Sequence, residues 1–402
     1  MEVAICPKFL SSNCCLVIIR ESGGYLSSKI AKFKIVYRDL HNRLTSMASF
    51  KVFLTGATGY IGGEVLYQLL NNKTHNFEVS ALVRSQEKAD LLTKATNNKV
   101  IPVIGSLDSF EVLEKQVNEN EIIINTANVD HVPSAKVLAD TLIKKKSKTI
   151  LIHTSGTSVI GDETSESKKP STKIYYDDRS IDEINSLPLE QPHRPVDAII
   201  LDINERNPNI ETVIISPSTI FGQSDGYDKI VSVQIPYLIA LSVANDQAFS
   251  VYSGKYIWNH IHIKDLGDLY MLILDKLING SKIPKGREGY YFGSYINQNE
   301  DSITEKPTDI EHYWSDVSEA IAKNLYDRKQ ISKNVLVQLK PDEVVKLADG
   351  DEFAPYYWST NSRSRGENGI KIGWKPKYLD AKYFWDSITE EVDYFIKNSS
   401  RK

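Results

Sequence analysis

The stretch KVFLTGATGYIG, from Lys51 to Gly62, constrains the fold of this chain more than any other. An apolar run predicts a buried strand, a glycine-rich turn follows it, and apolar residues then resume at helical spacing. The start of such a helix offers unpaired backbone N–H donors and a partial positive charge, where an anion binds. Glycines three residues apart, as here, are typical of a turn that holds the pyrophosphate of a dinucleotide.

Each of the three positions in this turn requires glycine for a steric reason. Gly56 lets the strand turn at backbone angles that a Cβ would forbid, Gly59 lets the backbone approach a phosphate, and Gly62 lets the helix pack close to the sheet. A plain structural turn would also use glycine, but the strand before it and the helix after it favour the dinucleotide. The predicted pyrophosphate-binding residues are Gly56, Thr58, Gly59, Tyr60, Ile61 and Gly62.

Length and composition exclude several classes of protein. With 402 residues, 41% apolar and 25% charged, the chain is long enough for one large α/β unit and a smaller lobe. No apolar run reaches the roughly 18 residues of a membrane span. A formal charge of −4 without clustered Lys and Arg argues against a nucleic-acid partner. All three cysteines precede residue 47, which indicates that the rest of the chain suits a reducing, cytoplasmic location.

Residues 1–46 differ from the chain that follows, because the alternating pattern begins abruptly at Met47. Two interpretations stay open. The extension is basic and poor in acids, as a mitochondrial presequence would be. Alternatively, translation starts at Met47 and the extension is not part of the protein. The basic residues behind the first interpretation are Lys29, Lys32, Lys34, Arg38 and Arg43.

From Met47 onward, strands and helices alternate as a parallel doubly wound sheet requires, which predicts a Rossmann domain over residues 47–225. The predicted strands are 51–55, 78–83, 100–104, 122–125, 149–154 and 212–216. The predicted helices are 62–71, 86–96, 110–118, 134–145 and 196–207. A polar stretch, 161–195, predicts a long surface loop, and 226–395 predict a smaller C-terminal α/β substrate lobe, with 251–278 returning to the Rossmann sheet.

The carboxyl ends of parallel strands meet on one rim, where a ligand binds. Arg84 ends the second strand, at the position where an acid would bond the ribose 2′-hydroxyl of NAD and an arginine accommodates the 2′-phosphate of NADP. With Lys88 as a second cation, this predicts NADP in preference to NAD. The adenine and ribose are predicted to meet Ser106 and Leu107 after the third strand and Asn125, Thr126 and Ala127 after the fourth.

Several motifs together resemble the extended short-chain dehydrogenase/reductase superfamily, and more narrowly the fungal NAD(P)-binding, epimerase-like proteins of its atypical branch. They are TGATGYIGG, HTSGTSVIGD, ISPSTIFG, NHIHIKDLGDLY and IGWKPKY. The resemblance covers most of residues 50–395. It implies a Rossmann domain with a C-terminal substrate lobe and hydride transfer at a nicotinamide. It also implies that Ser216 and Pro217 meet the nicotinamide carboxamide.

The catalytic set of that superfamily is a Ser or Thr after the fifth strand and a Tyr-x-x-x-Lys on the next helix, where Lys stabilises a tyrosinate. This chain departs from the pattern. Gly156 stands at the Ser position, between Ser155 and Thr157, and the Tyr and Lys positions hold His193 and Asp197.

Two interpretations of His193 follow. In the first it is the acid/base, oriented by Asp197 one helical turn away, although Pro195 indicates that His193 precedes the helix. In the second, both residues only organise the helix start. The matching functions are an NAD(P)-dependent oxidoreductase, acting on a small carbonyl or alcohol or on a sugar nucleotide, and a non-catalytic NADP-binding redox sensor.

His260 and His262 alternate on a predicted strand and share a face, as a pair of metal ligands would. A third ligand at suitable spacing is missing from the sequence, so we expect no metal. The expected partner is a small-molecule substrate, and the sequence leaves the oligomeric state open, a homodimer included.

Overall fold

The structure, a computed structural model, describes residues 2–5, 17–20, 49–166, 170–297 and 304–399. Residues 1–48 form one unit, in which strands Glu2–Ile5 and Val17–Arg20 pair antiparallel. The three cysteines and the five basic residues named above for the presequence interpretation lie outside the described residues, and the origin of the extension stays a prediction. Residues 49–402 form the second unit, and the boundary predicted at residues 225–226 falls within it.

In the second unit, the described residues build a seven-stranded parallel sheet. Its strands, in spatial order, are Tyr290–Gly293, Ile210–Pro217, Thr149–Thr154, Ile122–Asn125, Ser49–Thr55, Asn76–Val83 and Val100–Ile104. The order reverses beside Ser49–Thr55, which is the switch point where doubly wound sheets bind ligands. The predicted α/β fold class is confirmed.

The predicted helices are confirmed within two residues at each end, as are the six predicted strands. The helices cover both faces of the sheet, which explains why the strands read as nearly continuous apolar runs. Phe53 packs in the core on one face, whereas Val52 and Leu54 pack in the core on the other. The helices are Tyr60–Leu70, Gln86–Ala95, Phe110–Glu119, Val132–Lys144 and Arg194–Arg206.

The prediction that residues 251–278 return a strand to the Rossmann sheet is wrong. Strand Ile257–His262 lies instead in a three-stranded sheet between Thr219–Phe221 and Glu311–Tyr313. Only the following helix, Ile263–Ile278, returns, by packing against helix Tyr60–Leu70. Alternation predicts a strand but not its partners, because pairing is decided by contacts distant in sequence. The seventh strand is Tyr290–Gly293, in a region the sequence assigned to the lobe.

The C-terminal elements have their own core around Trp258, Trp314 and Phe384. Strands Gln247–Val251 and Lys333–Leu339 pair parallel. The helices of this region are Gln234–Ala244, Trp314–Asp327, Pro341–Leu347, Glu367–Lys371 and Ala381–Ser399. No helix among the described residues combines the length and the apolar character needed to cross a bilayer.

The stretch predicted as a long surface loop, 161–195, is more ordered than expected in its described part. It contains helix Ile181–Asn185 and a short strand, Tyr175–Tyr176, which pairs with Ser364–Arg365. Asp177 is fully buried and accepts hydrogen bonds from the backbone N–H groups of Phe292 and Asn368, both at 2.9 Å. Polar composition suggested solvent here, but backbone donors satisfy this carboxylate inside the protein.

Candidate coenzyme and proton-transfer site

The glycine turn has the geometry that a pyrophosphate requires. Gly56 has a φ of +78°, and a Cβ there would lie 2.6 Å from the carbonyl oxygen of Thr126. A Cβ on Gly62 would lie 2.2 Å from the carbonyl oxygen of Gly56. Among the described residues, no side chain caps helix Tyr60–Leu70 at its N-terminus, and its first turn carries no acid. The donors of that first turn are therefore not used by a capping side chain, and their binding of a pyrophosphate stays a prediction.

Other residues of the turn contribute by backbone or by packing. The Tyr60 side chain is buried and its hydroxyl donates to the carbonyl oxygen of Gly222 at 2.5 Å, so a contact of Tyr60 with a pyrophosphate would have to use its backbone. Thr58 and Ile61 are partly buried.

The tip of the second strand carries the two predicted cations. Arg84 is exposed where strand Asn76–Val83 ends. Lys88 lies in the first turn of the next helix, and its Nζ donates to Asp228 Oδ2 at 2.5 Å. Arg84 is thus accessible to a ligand, whereas Lys88 already has an anionic partner.

At the end of the fourth strand, Asn125 is buried and its amide links neighbouring strands. Its Oδ1 accepts from Thr55 Oγ1 at 2.5 Å, and its Nδ2 lies 3.0 Å from His153 Nδ1. Thr126 packs against the glycine turn and donates to the carbonyl oxygen of Thr55 at 2.7 Å. Ala127 lines a cavity. The position of Ala127 fits the predicted contact with the coenzyme, whereas the Asn125 side chain is used in holding the strands together.

The remaining predicted coenzyme residues are placed at strand ends. The Ser106 N–H donates to Ser109 Oγ at 3.0 Å, and Leu107 packs on the core beside it. Ser216 is fully buried, and Pro217 pairs with Gly293 on the seventh strand.

His193 is held in an unusual backbone conformation next to helix Arg194–Arg206. It is the residue before that helix, with a left-handed φ of +67°, which costs a non-glycine residue about 1 kcal/mol or more. Asp130 Oδ1 accepts two hydrogen bonds from it, one from the backbone N–H at 3.1 Å and one from Nδ1 at 2.8 Å. The other ring nitrogen, Nε2, lies 2.5 Å from Ser158 Oγ.

Ser158, His193 and Asp130 therefore form a continuous hydrogen-bonded chain. Because Nδ1 faces a carboxylate, it carries the hydrogen, and Nε2 is left to accept from the serine hydroxyl. Burial raises the pKa of Asp130, but hydrogen bonds from His193 outweigh it and lower that pKa below its ordinary value. The carboxylate is thus ionised at neutral pH and orients the imidazole.

The structure corrects the interpretation that Asp197 orients His193. Asp197 is fully buried, and its Oδ2 accepts from Ser155 Oγ and from the Tyr290 hydroxyl, both at 2.8 Å. Burial raises the pKa of Asp197 to about 6. The left-handed backbone at His193 turns the histidine away from the helix, so the expected one-turn pairing is not formed.

His153 approaches the same carboxylate from the fifth strand, with 3.7 Å between its Nε2 and Asp197 Oδ1. Burial lowers the pKa of His153 to about 3, so this imidazole is neutral and the contact is no ion pair. Ser155, Asp197, Tyr290 and His153 are consequently a buried polar network beneath the site. Thr157 is also fully buried, and its carbonyl oxygen accepts from Ser362 Oγ at 2.6 Å.

A cavity of about 450 Å³ lies beside His193 and Asp130. Ala127 lines it from the end of the fourth strand, and Asp130 and His193 line it from the hydrogen-bonded chain. Phe353 and Tyr357, from the C-terminal part, close it with aromatic rings whose centroids are 5.0 Å apart. A substrate in this cavity would lie between the predicted ribose contact and the imidazole.

Asp130 and Ser158 were missed by the sequence reasoning. Asp130 lies 63 residues before His193, in a loop after the fourth strand, and Ser158 lies 35 residues before it. The only available signal was position, since both follow strand ends that face the ligand rim. Gly156, at the expected Ser position, borders the histidine: a Cβ on it would lie 3.0 Å from His193 Nε2.

The histidines considered as a metal pair have aromatic neighbours. The His260 ring stacks on Phe384 with a centroid distance of 4.1 Å, and the His262 ring stacks on Tyr378 at 3.7 Å. Within the described ranges, no group of three or more His, Cys, Asp or Glu is arranged to hold a metal ion.

The α/β fold and the glycine turn are those of a dinucleotide-binding domain, and a comparison with protein families identifies an NAD(P)H-binding domain in this chain. Residues 56–183 match the family described as NAD(P)H-binding. An oxidase of Acremonium sp., ucsJ, is 28% identical over 341 residues, which cover 81% of this chain and 92% of the oxidase. An uncharacterized protein of Schizosaccharomyces pombe is 29% identical over 248 residues, covering 58% of this chain and 72% of that protein.

Solved structures show the same fold. The dTDP-glucose 4,6-dehydratase of Bacillus anthracis, in complex with NAD, superposes with a TM-score of 0.54 at 16% identity, over 87% of this chain and 98% of the dehydratase. The UDP-glucuronic acid 4-epimerase of Bacillus cereus, in complex with UDP-glucuronic acid and NAD, gives 0.55 at 13% identity, over 86% and 99%. The predicted resemblance to extended short-chain dehydrogenases/reductases is confirmed in fold and in the NAD(P)H-binding domain.

Proposed function

We propose that this protein is an NADP-dependent oxidoreductase that uses Ser158, His193 and Asp130 as its proton relay. The observation that carries the proposal is the hydrogen-bonded chain of these residues, of which His193 and Asp130 line a cavity together with Ala127. The glycine turn supports a dinucleotide, and exposed Arg84 favours the 2′-phosphate of NADP. The matched oxidase is consistent with redox chemistry.

A bound nicotinamide would supply or accept the hydride at the carbon of a small carbonyl or alcohol. The protein's task is the accompanying proton. With Nδ1–H donated to Asp130, His193 Nε2 can take a proton that passes from a substrate alcohol through the Ser158 hydroxyl. In the reverse direction the imidazolium returns that proton to the carbonyl oxygen, and Asp130 stabilises the imidazolium charge.

The cavity supports a small substrate with an apolar body. Phe353, Tyr357, Val129 and Pro192 give it apolar walls, and Asn128, Asp130 and His193 supply its polar groups. A sugar nucleotide of the kind bound by the Bacillus cereus epimerase stays a second substrate class. We place the activity in the cytosol, since the chain after residue 46 has no cysteine.

The test is His193→Gln, measured by calorimetry with NADP⁺ and by NADPH oxidation against a panel of aldehydes, ketones and quinones. We expect turnover to fall about 10²- to 10⁴-fold, because general acid–base catalysis is lost, while coenzyme affinity stays within about two-fold. The matched control is His131→Gln. That neighbouring histidine caps a helix through Ser134 and pairs with Asp108, so its loss should cost about 1 kcal/mol of stability and leave turnover unchanged.

Full turnover by His193→Gln would show that the relay is wrong. If the wild-type protein binds NADP⁺ but oxidises no NADPH with any member of the panel, the non-catalytic sensor becomes the better explanation.

A further inference from the structure

A loop from the second half of the chain, residues 222–230, covers the coenzyme turn, and we call it the covering loop. Its Lys229 N–H donates to the carbonyl oxygen of Thr58 at 3.4 Å. Its Asp225 N–H donates to Glu64 Oε2 at 2.8 Å. The loop is therefore attached both to the glycine turn and to the helix that begins there.

Close backbone contact reinforces this attachment. A Cβ added to Gly226 would lie 2.9 Å from Gly63 Cα, so the loop and the helix touch without side chains between them. Such an approach leaves little freedom for the loop to shift while its contacts persist.

Asp228 carries the loop's contact to helix Gln86–Ala95, which follows the second strand. Its Oδ2 accepts from Lys88 Nζ at 2.5 Å, across 140 residues of sequence. The side chains of Lys88 and Asp228 are 37% and 19% exposed, so a ligand arriving from solvent can reach the pair. Lys88 is also the cation nearest in sequence to Arg84 on the following helix, where the ribose 2′-position is expected.

The pair bears directly on coenzyme choice. A 2′-phosphate binds where cations are free and is repelled by a nearby carboxylate. A 2′-hydroxyl is neutral, so it can bind beside a cation or beside a carboxylate. Exposed Arg84 would attract the phosphate, whereas Asp228 pairs with the second cation, Lys88, and so places a carboxylate against it.

We propose that Asp228 is a coenzyme-selectivity residue. Its carboxylate holds the Lys88 ammonium that the 2′-phosphate would otherwise use, and this weakens NADP(H) binding relative to NAD(H). This inference rests on the proposed function, because it takes the glycine turn and Arg84 as the coenzyme site. It assigns control of the adenosine end to a loop outside the strand-turn-helix motif.

The experiment is calorimetric titration of the full chain and of Asp228→Asn with NADP⁺ and NAD⁺ separately. We expect Asp228→Asn to bind NADP⁺ about ten-fold more tightly and NAD⁺ within about two-fold of the wild type. The matched control is Asp225→Asn, on the same loop, whose carboxylate pairs with Lys264 at 3.0 Å. That variant should leave the ratio of the two affinities unchanged.

A double variant tests whether Asp228 acts on NADP⁺ binding through Lys88. In a Lys88→Gln background, Asp228→Asn should improve NADP⁺ binding by only about two-fold, because the cation it releases is gone. A gain that persists undiminished, or equal changes for both coenzymes, would overturn the inference. Wild-type protein that binds neither coenzyme overturns the proposed function and this inference together. Selective binding without turnover removes only the catalytic proposal and leaves the role of Asp228 supported.

Discussion

The glycine turn and the His193 cluster both lie at the carboxyl ends of one sheet, yet they are built in opposite ways. The turn is made of backbone from one contiguous stretch, and its geometry depends on absent side chains at Gly56 and Gly62. The cluster is made of side chains from three segments, with Asp130 and Ser158 reaching His193 across 63 and 35 residues. A contiguous backbone motif can be predicted from sequence, whereas a site assembled from separate loops cannot.

Gly56→Ala tests most directly whether the turn depends on the absence of a side chain. The new Cβ would meet Thr126 at 2.6 Å and face a positive φ, so we expect at least a 100-fold loss of coenzyme affinity or about 3 kcal/mol of stability. Calorimetry and thermal unfolding distinguish the two. The control is Gly280→Ala, with a φ of +67° but nothing within 4 Å of the added Cβ. It should cost about 1 kcal/mol and keep coenzyme binding. Intact binding in Gly56→Ala would contradict the backbone account.

The second prediction concerns the buried network beneath His193 and uses pH. Burial raises the pKa of Asp197 to about 6, so its contribution to stability is complete below the unfolded pKa near 3.8 and is lost as pH rises through about 6. Asp197→Asn removes that loss. We expect the variant to gain up to about 3 kcal/mol over wild type between pH 4 and 7, measured by urea unfolding.

For Asp130→Asn we expect the opposite dependence of folding stability on pH. Its lowered pKa means that the wild-type carboxylate stabilises the fold above the unfolded pKa and loses this effect as pH falls through the folded pKa. Parallel pH profiles for the two variants would show that the network and the relay are not electrostatically distinct.

The smallest effect is expected at Arg84. It is part of the predicted coenzyme site, like the glycine turn, but its predicted contact is made by a side chain and not by backbone. Arg84→Ala should weaken NADP⁺ binding about ten-fold, through loss of a charged hydrogen bond, and leave NAD⁺ unchanged. Arg206→Ala is the control, because that arginine lies in the last turn of helix Arg194–Arg206 and pairs with Asp202. Equal losses for both coenzymes in Arg84→Ala would show that Arg84 does not read the 2′-position.

The Rossmann half of the fold was predictable because its signals are local. Apolar runs bounded by polar residues predicted six strands, and helical spacing predicted the five helices between them, with ends correct within two residues. The strand Tyr290–Gly293 was missed as a member of this sheet, because a run of four residues carries no information about its neighbour. The predicted coenzyme residues came from the glycine spacing, from the strand ends and, for Ser216 and Pro217, from the family resemblance, and their contacts with a coenzyme stay predictions.

The candidate catalytic end could be predicted only in part. His193 was found by its position, and Pro195 correctly indicated that it precedes the helix. Its orienting carboxylate was sought one helical turn away at Asp197, but the left-handed backbone of His193 directs the ring to Asp130 instead.

By itself, the sequence determined a dinucleotide turn and the parallel sheet that presents it, because backbone dihedrals and apolar periodicity act over a few residues. Only the tertiary structure decided which carboxylate holds His193, where the seventh strand comes from, and that Asp228 holds Lys88. These contacts join residues distant along the chain, and their partners are chosen by packing and charge in three dimensions, which no local pattern encodes.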